Sequence, residues 1–310
     1  MNYSILKYIL GYVLKIEAAF MLLPCVTSLI YHEEEGRYFF LVSCVCMLLG
    51  VLMTYRKPKN TVFYLKEGCL ATSLSWIILS LFGAIPFWIS GEIPQWENAL
   101  FETISGFTTT GATVLSNVEG LSHTALIWRS FTHWIGGMGV LVFLLAILPL
   151  SGGSSINLMR AESPGPSVGK LVPKVRYTAM ILYTIYFGMT VIEFIFLLAG
   201  KMPVFDALTT AFGTAGTGGF GIKNDSMMGY SPYIQWVVAI FMILFGINFN
   251  FYFYILYRHF RKAISMEEIH YYLAMILIAV TIIFLNVRTM YPTGFEAMTH
   301  SVFQVASLAT

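Results

Sequence analysis

The chain has 310 residues, is 57% hydrophobic and only 11% charged, and its mean hydropathy is +0.73. A soluble domain carries about 25% charged residues, so this composition cannot cover a water-soluble globule. A net charge of +2, with basic residues spread among short loops, leaves no nucleic-acid footprint.

Apolar runs of bilayer length predict membrane helices near 4–30, 38–55, 67–90, 124–150, 177–199, 232–257 and 269–287. The first has no small-residue cleavage site and is expected to be a retained helix rather than a signal peptide. Three shorter apolar stretches, 95–107, 203–214 and 292–308, cannot cross a bilayer and are expected to be re-entrant helices. Cys25, Cys44, Cys46 and Cys69 all fall within apolar segments, with no disulfide framework or metal-ligand company, and core packing is their expected role.

Charge orients these spans. Arg56, Lys57, Lys59 and Lys66, then Arg160, Lys170, Lys174 and Arg176, then Arg258, Arg261 and Lys262 occupy one set of loops. Glu33, Glu34, Glu35, Glu92, Glu97 and Glu119 occupy the other, with Arg37 as the base among them. The positive-inside rule makes the first set and the amino terminus cytoplasmic, and all three short stretches then lie on the outer side.

After the first two spans one plan recurs: span, short outer helix, Gly/Thr-rich strip, span. Asn98-Ala99-Leu100 precedes the first strip as Asp206-Ala207-Leu208 precedes the second. Val302-Phe303-Gln304, Ser307 and Thr310 echo Leu100-Phe101-Glu102, Ser105 and Thr108. Such repetition also fits a secondary transporter with internal symmetry, and the strips decide. They run Thr108-Thr109-Thr110-Gly111-Ala112-Thr113-Val114 and Gly213-Thr214-Ala215-Gly216-Thr217-Gly218-Gly219-Phe220-Gly221. Irregular backbone at membrane depth must be buried in protein or line a watery cavity. Inward carbonyls can replace the hydration shell of potassium, glycine permits the dihedrals that aim them, and threonine hydroxyls add oxygens. Ordinary turn-rich loops are the alternative, and two strips at equivalent positions behind short helices weigh against it.

The run Phe101-Glu102-Thr103-Ile104-Ser105-Gly106-Phe107-Thr108-Thr109-Thr110-Gly111-Ala112-Thr113 is followed by His133-Trp134-Ile135-Gly136-Gly137-Met138-Gly139 and Ala146-Ile147-Leu148-Pro149. Arg160-Ala161-Glu162-Ser163-Pro164-Gly165-Pro166 and Gly218-Gly219-Phe220 come after. In this order the motifs resemble the Trk/Ktr/HKT superfamily of potassium transporters over nearly the whole chain. Two extra leading spans make the likeness one to its TrkH-type subunits rather than the shorter KtrB type.

The resemblance implies an all-α membrane fold of repeated helix–pore-helix–helix (M1-P-M2) units, potassium-channel-like, with two extra N-terminal transmembrane helices. Expected boundaries are 1–62 for that pair, 63–150 for the first repeat, 151–176 for a cytoplasmic loop, 177–262 for the second repeat and 263–310 for an incomplete third. Filter positions carried over are Thr109, Thr110, Gly111, Thr217, Gly218 and Gly219, supported by Thr108, Ala112, Phe220 and Gly221. Relatives often have an aliphatic residue where Thr217 stands. The resemblance further implies a permeant potassium ion, a bacterial inner-membrane location, a homodimer, and a TrkA-type nucleotide-binding regulatory subunit facing the 151–176 loop. A third strip, a gating segment and a fourth repeat are expected beyond Thr310, so the chain is expected to be a fragment that does not conduct alone.

Other residues carry open expectations. Glu193, near the outer end of its span, could reach water or act within the membrane. Lys15 and Glu17 can snorkel or pair. Arg129 is expected either to shape the field at the outer mouth or to take a hydrogen-bonded packing role. Gly136, Gly137 and Gly139 form a close-packing face. Asn248 and Asn250 are placed mid-span, where Asn248 either bonds between helices or lines an inner vestibule. His123 and His133 lack metal-site spacing. A sodium-dependent or proton-coupled Ktr-type transporter is the near alternative. A polytopic membrane enzyme would need clustered His, Asp, Glu or Cys, which the sequence does not show.

Overall fold

A computed structural model describes residues 2–58, 65–139 and 175–310. Lys59, Lys170, Lys174, Ala146–Pro149, Arg160–Pro166 and the 151–174 part of the loop lie outside the described residues. Every regular element described is helical. The chain divides into two compact units, 1–180 and 181–310.

The first unit opens with α1 (Tyr3–Phe20) and α2 (Leu22–Tyr31), which together form one apolar stretch long enough to cross a membrane. The interruption at Met21 lies just ahead of Pro24, whose ring lacks an N–H and crowds the carbonyl one turn back. His32, at φ 57, ends α2 with its amide on Ser28. α3 (Gly36–Thr54) returns antiparallel to α1, and α4 (Leu65–Ile89) follows. The short α5 (Trp96–Phe107) falls where the sequence places the first re-entrant helix. α6 (His123–Met138) then begins behind the Ser122 cap, whose hydroxyl accepts the Ala125 amide.

Lipid tails are as apolar as leucine, so helices in a membrane are held by close packing and hydrogen bonds rather than by escape from water. Trp128 of α6 supplies both. It is fully buried, stands 6.1 Å from Phe39 of α3 and from Phe107 of α5, and donates its indole N–H to the Gly83 carbonyl of α4 at 3.0 Å. Aromatic pairs of this kind contribute about 0.5–1.5 kcal/mol each beyond the area they bury. One side chain thereby ties the end of α5 to three longer helices.

The unit division falls in α7 (Val175–Ala199), after Met180. The second unit continues with the short α8 (Val204–Ala215), then α9 (Pro232–Phe245), α10 (Phe249–Leu256), α11 (Phe260–Ile264), α12 (Glu267–Val287) and α13 (Gly294–Ala309). α13 packs on α12 through Ile276, Val280 and Val305, and on α9 through the Trp236 indole, which donates to Thr299 at 2.9 Å.

The single span expected over 232–257 is instead two helices meeting at 91°. Gly246 and Ile247 interrupt the ladder, and the Asn248 side chain accepts the Asn250 amide at 3.0 Å, capping α10. The last turn of α9 leaves carbonyls without intrahelical partners. Two tyrosines satisfy them: Tyr252 donates to Leu244 at 2.5 Å and Tyr272 to Ile243 at 3.2 Å.

Candidate functional site

The first strip leaves α5 by folding back on it. Thr108, Thr109 and Thr110 donate their amides to Ile104, Gly106 and Ser105 at 2.8, 3.0 and 2.9 Å. Two residues are in the left-handed region, Thr109 at φ 54 and Gly111 at φ 72. A threonine there is strained, and glycine is the residue that takes such a φ without cost. The Thr108 hydroxyl donates to Ile104 at 2.7 Å and lies 2.8 Å from that of Thr110, so these hydroxyls engage each other at the helix end.

The second strip repeats this conformation in the same register. Gly216 donates its amide to Phe212 at 3.1 Å, Thr217 to Thr214 at 3.0 Å, and Gly218 and Gly219 both to Gly213 at 3.2 Å. The left-handed residues are Thr217 at φ 54 and Gly219 at φ 75. Thr109 and Thr217 are separated by the same interval as Gly111 and Gly219. Among the described residues, no hydrogen bond ends on the carbonyl oxygens of Thr109, Thr110, Gly111, Thr217, Gly218 or Gly219. The carboxyl ends of α5 and α8, with their partial negative charge, sit directly beneath.

Supporting positions differ between the strips. Ala112 is exposed, whereas Phe220 is only 4% exposed and packs its carbonyl 3.2 Å from where a Cβ on Gly213 would stand. Gly221 is half-buried. At the third short helix, Thr310 donates both its amide, at 3.2 Å, and its hydroxyl, at 2.9 Å, to Ala306. That is the pairing Thr108 makes with Ile104. Asn248 lines a cavity of about 330 Å³ with Gly246, Glu268 and Tyr272, and its amide lies 3.3 Å from Glu268.

Glu102 is the residue that sequence reasoning passed over. Its side chain is buried, and one oxygen accepts the Arg129 guanidinium at 2.9 Å. The other accepts the Thr113 hydroxyl and the Val114 amide, the latter at 2.7 Å. Of the two roles left open for Arg129, the structure shows the hydrogen-bonded one. The signal was present in sequence as an acid past the first turn of a short apolar helix and a lone Arg in the next span. α6 also presses on the strip: a Cβ on Gly136 would lie 2.3 Å from the Phe107 carbonyl and 2.8 Å from the Thr109 methyl.

Among the described residues the Glu17 carboxyl finds no hydrogen-bond partner, and it does not snorkel out to solvent. It is 1% exposed beside Gly83, while Lys15 lies over the Tyr12 ring. Glu193 does not reach water either, being fully buried. His123 bonds Glu33 at 2.8 Å, and no cluster of three or more His, Cys, Asp or Glu occurs among the described residues.

Residues 35–309 match the family model for TrkH, described as a cation transport protein. The chain belongs to the TrkH family. It is 33% identical over its whole length to the Trk system potassium uptake protein TrkH of Salmonella typhimurium, of which it covers 66%. Over 77% of its length it is 32% identical to an uncharacterized cation transporter of Methanocaldococcus jannaschii, covering 50% of that protein. The crystal structure of the potassium transporter TrkH from Vibrio parahaemolyticus superposes on 99% of the chain with a TM-score of 0.83 at 26% identity, and 64% of that structure is covered. The chain thus spans about two thirds of the length of the TrkH proteins it matches. Membership in TrkH places the chain in a family of cation transport proteins, and its long apolar helices are those of a multi-pass membrane protein. Its fold is the all-α, repeated M1-P-M2 arrangement of potassium channels.

Proposed function

We propose that this chain supplies part of a potassium uptake pathway in a bacterial inner membrane, with Thr109, Thr110, Gly111, Thr217, Gly218 and Gly219 as filter positions. The observation that carries the reading is the pair of strips with left-handed residues at the same two places and carbonyl oxygens left unengaged. Two different sequences, TTGAT at 109–113 and TGGFG at 217–221, reach one backbone geometry, as selection for carbonyl direction would require. The relatives named for potassium uptake support potassium as the ion.

No covalent chemistry is needed. A potential of −100 mV supplies about 2.3 kcal/mol per elementary charge, which concentrates a cation inward. The proposed repeats are 63–150, 177–262 and 263–310, behind the 1–62 pair, with the amino terminus cytoplasmic. The proposed assembly is a homodimer whose 151–176 loop meets a TrkA-type nucleotide-binding regulator. The complete open reading frame is expected to restore growth of a potassium-uptake-deficient bacterium at low potassium. Gly111→Ser, which puts a Cβ on a left-handed residue, is expected to lower the preference for potassium over sodium. Well-expressed protein that gives no rescue would refute the assignment.

A further inference from the structure

The chain that leaves the second strip is held at both ends. Gly221, the last residue of that strip, lies against the backbone that follows: a Cβ there would stand 3.6 Å from the Lys223 carbonyl and 3.8 Å from the Ser226 Cα. The Ser226 amide donates to the Lys223 carbonyl at 3.1 Å, and Ser226 takes a left-handed φ of 57. Farther on, the Tyr230 hydroxyl donates to Asp206 at 2.7 Å, in the first turn of α8. The Gln235 side chain, on α9, donates to the carbonyls of Met227 and Tyr230, each at 3.1 Å. Tyr230 thereby has a fixed place beside the pore helix.

Lys223 is the one base in the sequence between this strip and α9, whereas the corresponding stretch of the first repeat, 114–122, has Glu119 and no base. Its ammonium lies over the Tyr230 ring, 4.3 Å from the centroid. Among the described residues, no carboxylate stands within ion-pair distance of it. The charge is held but not neutralised. The face of an aromatic ring attracts an ammonium electrostatically. The lysine stem is a flexible four-carbon chain, and here it springs from backbone packed against the end of the strip. A positive charge released at that point would repel any cation approaching the same opening, because clefts focus the field of the charges around them.

We propose that Tyr230 is a positioning residue for Lys223: its ring, anchored on Asp206, keeps the ammonium from the entrance of the second strip and so sets how readily a monovalent cation enters there. The inference rests on the reading of the strips as a cation filter that opens to the outer side. Tyr230 acts through the lysine and not on the ion.

Initial rates of potassium uptake over a range of concentrations, in cells expressing the complete open reading frame at matched membrane levels, separate KM from maximal rate. Tyr230→Leu is expected to raise KM about two- to fivefold at low ionic strength, the scale of one unit charge brought within about 8 Å in a largely aqueous setting. Maximal rate should not change. Choline chloride at about 0.3 M should shrink the rise, since exposed charges are screened over about 6 Å there. Combined with Lys223→Gln, Tyr230→Leu should have no further effect, and the double variant should show the KM of Lys223→Gln alone. Tyr230→Phe keeps the ring face and should shift KM less than Tyr230→Leu. Tyr230→Met, which keeps bulk without a ring face, carries the test if Tyr230→Leu does not reach the membrane. A KM that stays at the wild-type value, or that rises as much with Lys223→Gln present, would leave Tyr230 a clamp on the loop and overturn the proposal. Gly219→Ser separates the two failures. If it leaves the potassium-to-sodium ratio unchanged, the filter reading itself falls; if it lowers the ratio while Tyr230→Leu leaves KM unmoved, the role of Tyr230 alone is lost.

Discussion

At the scale of single residues, the Glu102–Arg129 pair shows how burial turns two charges into a brace. Both side chains are out of solvent, at 0% and 2% exposure, and the acid also serves Thr113 and Val114. Breaking a buried pair by removing one partner costs about 3–5 kcal/mol, since the other charge is left uncompensated. Arg129→Met is therefore expected to lower the thermal unfolding midpoint of the detergent-solubilised protein. Removing both charges with Glu102→Met as well should recover part of that loss, although the Val114 amide would still lack its acceptor. A double variant as unstable as the single one would show that the pair is not coupled. Sequence alone marked Arg129 as a charge within an apolar span but passed over Glu102 and could not join the two. They are 27 positions apart, and nothing short of the packed α5–α6 contact sets their distance.

At the scale of elements, two helix ends carry testable weight. The amino end of α6 is held by carboxylates from two other segments. Glu33 accepts the His123 amide at 2.8 Å and the Thr124 amide at 2.9 Å, and Glu92 accepts the Ser122 amide at 3.2 Å. Negative charge belongs at that end of a helix. Burial pushes the Glu33 carboxyl up, but hydrogen bonds from the Thr124 hydroxyl and amide and from His123 outweigh it and hold it below the usual carboxylate range. A group lowered in this way adds stability above its unfolded value of about 4.3, and that stability is lost as pH falls through the folded value. Glu92 is raised by burial and works in the opposite sense. Glu33→Gln should thus flatten the fall in melting temperature between pH 6 and pH 3 relative to wild type, roughly the acid range of a lowered carboxylate. An unchanged pH profile would sink the linkage. The second end is the carboxyl terminus of α9. Tyr252→Phe should leave the Leu244 carbonyl without its donor, at a cost of about 1–3 kcal/mol if water cannot reach it. A melting temperature equal to wild type would show that water does.

At the scale of the whole molecule, the order of elements was legible because membrane insertion writes it in hydropathy. A span must be apolar over a fixed length, so the long helices and the three short ones were visible before any fold was known. The strips were legible as composition, since only glycine-bearing backbone turns so sharply at a helix end, and the resemblance supplied their register. What sequence did not disclose came from side chains acting across helices. The 91° break in the second repeat reads as one long apolar run because its compensating donors, Tyr252 and Tyr272, come from α10 and α12. Glu17 and Glu193 looked able to reach polar surroundings, and their burial depends on neighbours that sequence does not name. By itself, then, the sequence determined class, span order and the location of two glycine-bearing strips, because lipid thickness and backbone dihedrals act locally along the chain. Tertiary structure alone decided that Glu102 braces the first strip and meets Arg129, because a hydrogen bond depends on distances of ångströms between residues far apart in the chain.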